Sequence, residues 1–135
     1  MQSKKFEVLE HIGDLKIKSF GKTKEELFLN AMRGMFVGGS YKFEIGDIKR
    51  NIKISSYDLA SLLVDFLSEI LYFCETKKEV YQDIIFKKFS NKEIEAVLIG
   101  GRLKKIGTQI KGVAYHNLEI KKEKGEYTAT IIFDI

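Results

Sequence analysis

The 135-residue chain has a single cysteine, Cys74, and two histidines, His11 and His116. One thiol excludes an intrachain disulfide, and no Cys or Cys/His cluster has the spacing of a zinc site, so a reducing compartment is expected. Long apolar runs are also missing: no stretch approaches the roughly 18 residues of a membrane span. Residues 1–10 lack the apolar core of a signal peptide, and the expectation is a soluble, cytoplasmic protein with no membrane association. Neither common Gly-rich phosphate loop occurs, nor does a Gly-x-Ser-x-Gly elbow. A nucleophile with its base would have to be assembled from Cys74 with His11 or His116, and a Cys behind an apolar helix is usually inert. The chain is therefore expected not to be an enzyme.

What is present suits one folded domain over residues 1–135. The hydrophobic share of 44%, with ten Phe and six Tyr, supplies a core and argues against disorder. The net charge of +4 permits contact with nucleic acid or an acidic partner without requiring it.

Short extended runs at 6–9 and 15–18 flank His11-Ile12-Gly13-Asp14. Thr23 with Glu26 forms a capping box, so a first helix starts there, with Leu27, Phe28, Ala31, Met32, Met35 and Phe36 as its core face and Gly38-Gly39 as its stop. Residues 41–45 and 48–54 read as two strands around a Gly46-Asp47 hairpin turn. A second helix carries Leu59, Leu62, Leu63, Phe66, Leu67, Ile70 and Leu71, with Ser55 and Asp58 as caps. Its opposite face holds Asp58, Asp65 and Glu69, which read as a solvated face. Four strand-like blocks follow at 80–89, 92–99, 110–121 and 126–133, separated by Ser90-Asn91, Gly100-Gly101 and Lys124-Gly125. The expected architecture is α+β, two helices packed on an antiparallel sheet in a single two-layer domain.

Candidate site residues lie at the two ends. Asp14 sits between two strands, Asp134 follows the apolar run Thr130-Ile131-Ile132-Phe133, and Ile135 ends the chain with a free carboxylate. If the sheet sets the amino-terminal turn beside the last strand, these groups make an oxygen-donor cluster of the kind calcium, magnesium or manganese prefers. His11, next to the turn, is a candidate for orienting Asp14 through a hydrogen bond. His116 falls on the same strand face as Ala114, Leu118 and Ile120 and reads as a core or interface histidine. A separate basic region of Arg102, Lys104, Lys105 and Lys111, with Tyr115 available for stacking, suggests an RNA-binding module as an alternative.

Taken in order, His11-Ile12-Gly13-Asp14, Gly21-Lys22-Thr23-Lys24-Glu25-Glu26-Leu27-Phe28, Phe66-Leu67-Ser68-Glu69-Ile70-Leu71-Tyr72, Ile110-Lys111-Gly112-Val113-Ala114-Tyr115-His116 and Ile132-Phe133-Asp134-Ile135 resemble the archease family over nearly the whole chain. The resemblance implies a compact α+β accessory protein that activates the GTP-dependent RNA ligase of tRNA splicing and RNA repair, promoting its guanylylation and repeated turnover. It implies a divalent cation, calcium first with magnesium or manganese as alternatives, on Asp14, Asp134 and Ile135. It also implies a second role as a chaperone-like modulator of a tRNA cytosine methyltransferase. Two departures stand out. The family usually has Thr-Ala where this chain has Ile12-Gly13, and carboxylates in the segment where this chain reads Gly100-Gly101-Arg102-Leu103-Lys104-Lys105-Ile106-Gly107.

Overall fold

A computed structural model of the chain describes residues 4–11, 13–115 and 118–135, without the side chains of Glu10 and His11. Its elements are β1 (Phe6–His11), β2 (Asp14–Gly21), α1 (Lys24–Gly38), β3 (Tyr41–Ser55), α2 (Leu59–Lys77), β4 (Glu79–Phe89), β5 (Glu93–Ile106), β6 (Gly112–Val113), β7 (Ile120–Glu123) and β8 (Glu126–Asp134). The α+β class with two helices is as expected, and the strands divide into two antiparallel sheets. One runs β1-β2-β8-β6 with β7 also on β8, and the other runs β3-β5-β4.

Both helices begin where their sequence signals lie. The Thr23 hydroxyl accepts the Glu26 N–H at 3.1 Å, and the Asp58 carboxylate accepts the Ser61 N–H at 2.8 Å, each satisfying an amide that a helix start leaves open. Ser55 instead ends β3. α1 stops at Gly39, whose N–H reaches back to the Met35 carbonyl.

The apolar stripes of the two helices bury Leu27, Phe28, Met32, Met35, Leu62, Leu63, Phe66, Leu67 and Ile70 completely. Each such side chain contributes about 1.5–3 kcal/mol. The Phe28 ring is 5.6 Å from Phe66 and meets Phe89 of β4 edge-on at 5.1 Å, so α1, α2 and the three-stranded sheet share one core. Ile17 of β2 and Ala129, Ile131 and Phe133 of β8 join the same cluster from the larger sheet. No helix among the described residues is long and apolar enough to cross a membrane.

Three stretches differ from the sequence-based expectation. Gly46-Asp47 is no hairpin turn: β3 continues through it, and the pairing with β5 slips between Glu44 and Ile48, a bulge. Gly100-Gly101 is no turn either, because β5 runs on to Ile106. A Cβ at Gly100 would stand 1.9 Å from the Val80 carbonyl oxygen, and one at Gly101 would stand 1.7 Å from that of Glu44. Residues without a Cβ are needed there because neighbouring backbones close in at both bulges. Block 110–121 is two short strands, not one. β6 and β7 lie on the same edge of β8, at opposite ends.

Gly100→Ala is expected to destabilise the fold by about 3 kcal/mol, the upper part of the usual overpacking range. Urea denaturation measures it, and a loss under about 0.5 kcal/mol, the size of a neutral surface change, would show that the neighbouring backbone gives way freely.

Candidate metal site at the end of the larger sheet

β2 and β8 pair antiparallel in a register that runs from Asp14↔Asp134 to Gly21↔Tyr127. The two aspartates, 120 positions apart in sequence, are thus direct cross-strand partners. The row extends to both sides: the His11 backbone faces Asp14 from β1, and Gly112 of β6 faces Asp134. The Lys111 N–H donates to the Asp134 carbonyl at 2.7 Å, and the Ala114 N–H to the Ile132 carbonyl at 2.9 Å. These bonds hold the segment around β6 against the end of β8.

Period-two alternation decides which face the carboxylates take. Ile17, Ser19 and Gly21 are buried on β2, and Ala129, Ile131 and Phe133 on β8. Asp14 and Asp134 have the opposite parity and share the outer face. Asp134 is exposed, whereas Asp14 is half-buried with its Oδ1 withdrawn from solvent. Gly112 leaves space beside the pair, since a Cβ there would lie 3.8 Å from Asp134 Oδ2.

The donor chemistry fits a hard cation. Like charges directly opposite on a sheet repel, and an ion between them removes the repulsion. Cross-strand Cβ atoms stand about 4.5–5.5 Å apart, close enough for two carboxylates to reach one calcium ion at about 2.3–2.6 Å per oxygen. Among the described residues no three His, Cys, Asp or Glu side chains converge. The protein thus offers a carboxylate pair, with Ile135 one residue beyond Asp134. The roles read for the His11 side chain and for His116 fall outside the described atoms.

The other candidates separate. Cys74 is buried, and burial pushes its thiol up to about 11, which leaves it protonated and a poor nucleophile at neutral pH. Arg102, Lys104 and Lys105 lie on the last stretch of β5, and Lys104 Nζ is engaged by Glu44 at 3.0 Å. The Tyr115 hydroxyl donates to Asp65 on α2, while its ring stays exposed.

Asp65 corrects the reading of a merely solvated helix face. It accepts the Ser56 hydroxyl at 2.9 Å as well as the Tyr115 phenol. That second bond ties the segment after β6 to α2 and so supports the Gly112 side of the row. No local pattern signals it, since its partners are 50 positions apart. The Asp65 carboxylate, through that bond, holds the Tyr115 phenol above its ordinary value of 10.0. The bond's contribution is therefore complete below the ordinary tyrosine range and is lost as pH rises through the raised folded value. Tyr115→Phe should cost about 1 kcal/mol, the net worth of one hydrogen bond, with the difference from wild type shrinking in alkaline buffer. Paired urea titrations of Tyr115→Phe, Asp65→Asn and the double variant check this, and fully additive losses would show that the two groups are not joined.

Comparison with other proteins agrees along the full chain. The profile of the archease protein family (MTH1598/TM1083) matches residues 6–135. The archease of Methanosarcina barkeri is 40% identical over 143 residues, covering 99% of this chain and 98% of its own. That of Thermoplasma acidophilum is 31% identical over 137 residues, covering 96% and 93%. The solution structure of Methanobacterium thermoautotrophicum protein 1598 superposes with a TM-score of 0.75 at 29% identity, covering 97% of this chain and 99% of that one. The crystal structure of a Thermotoga maritima protein, described as an archease and possible chaperone, shares the fold with a TM-score of 0.71 at 18% identity, covering 100% and 98%. With the family profile, the relatives' identities over nearly the full chain and the fold in agreement, this protein belongs to the archease family.

Proposed function

We propose that the chain is a non-catalytic cytoplasmic accessory protein that activates the GTP-dependent RNA ligase of tRNA splicing and RNA repair, through a divalent cation on Asp14, Asp134 and Ile135. The observation that carries this reading is the direct cross-strand pairing of Asp14 with Asp134 in a member of this family. When bound, the cation supplies positive charge to a phosphate or carboxylate of the partner. The chain's own contribution is positional. The β2–β8 register fixes the spacing of the carboxylates, the Lys111 N–H holds the Asp134 backbone, and Gly112 leaves room for an approaching group.

A chaperone-like action on a tRNA cytosine methyltransferase is the second reading. The description of the Thermotoga maritima neighbour as a possible chaperone favours it.

Guanylylation of the ligase from the same source, followed with and without this chain, separates the two. Asp14→Ala and Asp134→Ala are expected to lose stimulation by tenfold or more while keeping the wild-type circular dichroism. Full stimulation by both variants would eliminate the cation's role. Suppression of methyltransferase aggregation by wild type and both variants alike, with no effect on the ligase, would favour the second reading.

A further inference from the structure

A groove of about 420 Å³ opens where α2 ends against the three-stranded sheet, lined by Ile48, Lys77, Lys78, Glu79, Arg102 and Leu103. Its geometry is set by backbone bonds. The Leu103 N–H donates to the Lys78 carbonyl at 2.8 Å, and Arg102 is the cross-strand partner of Glu79 on one side and of Glu44 on the other.

An arginine between two glutamates normally pairs with one of them. Here both carboxylates are turned to other cations. Glu79 is buried and takes a two-pronged bond from Arg50, at 3.0 and 2.8 Å, with a third from the Tyr81 hydroxyl at 2.7 Å. Glu44 pairs with Lys104. Among the described residues, Arg102, Lys77 and Lys78 form no ion pair. Cations in the last turn of a helix complement its dipole, which accounts for the two lysines but not for Arg102 or for the groove.

We infer that this groove binds the phosphodiester backbone of an RNA strand. A guanidinium matches a phosphate with two parallel bonds, and flanking ammonium groups add charge without further geometry. The lining holds no aromatic ring, so nothing stacks on a base, and contact with the backbone alone is indifferent to sequence. The groove draws Arg102 from the basic stretch of β5, adds Lys77 and Lys78 from α2, and excludes Lys104 and Tyr115, which are held elsewhere. It is independent of the Asp14–Asp134 row.

Fluorescence anisotropy of a short labelled single-stranded RNA of mixed sequence tests this with the full chain. The variant Lys77→Gln/Arg102→Gln is compared with Lys53→Gln/Lys87→Gln, which removes the same charge from exposed positions outside the groove. The groove variant should lose about tenfold in affinity at low salt and lower the slope of log affinity against log salt by about 1.4, two contacts at about 0.7 each. The control should stay near wild type. Equal losses in both variants, or no binding at about 50 mM salt, would overturn the inference. So would competition by polyglutamate as effective as that by unlabelled RNA, which would make the site one for carboxylates. Free GTP bound as tightly as RNA, with the same sensitivity to the groove variant, would make it a nucleotide pocket instead and equally overturn it.

Discussion

The pairing of β2 with β8 is the constraint on which the rest of the molecule depends. It joins the two ends of the chain into the middle of one sheet, and the register is enforced by burial. Ile17, Ile131 and Phe133 are fully buried on the inner face, at about 1.5–3 kcal/mol each. A slip of one residue would turn all of them outward. The same register sets Asp14 against Asp134 on the outer face, where repulsion between like charges costs only about 0.2–1 kcal/mol. Packing therefore outweighs the repulsion several times over. The two aspartates are thus held side by side on the outer face as a by-product of core formation.

The parts of the molecule legible in the sequence were those governed by local chemistry. Thr23 and Asp58 announce their helices because a side-chain oxygen meets an amide three residues on, and the buried stripes of α1 and α2 follow from helical spacing. The end-of-chain carboxylates were legible as a candidate only on the condition that β2 and β8 meet, a pairing no local pattern dictates. Glycine misled where it serves close packing instead of chain reversal. Gly100-Gly101 looks like a turn, yet its role is to let β4 and β3 press against β5 at two bulges. Long-range polar links were invisible: Asp65 with Tyr115, and Arg50 with Glu79 and Tyr81, join residues whose proximity exists only in the folded state.

Those hidden links explain how the surface divides its work. Asp65 steadies the segment beside Gly112, at the carboxylate end of the larger sheet. Glu79 is drawn inward by Arg50 and Tyr81, and its withdrawal leaves Arg102 and the α2 lysines facing solvent at the smaller sheet. The larger sheet thus sets two carboxylates side by side, and the groove at the smaller sheet gathers three cations outside any close ion pair among the described residues.

The most direct measurement is a calorimetric titration of calcium into the metal-free chain, repeated with Asp14→Asn and Asp134→Asn. Saturable binding of one ion per chain, lost in both variants while their folds persist, is the predicted result. Binding that survives in Asp134→Asn, or no heat up to millimolar calcium, manganese and magnesium, would contradict the assignment of the paired carboxylates as a cation site.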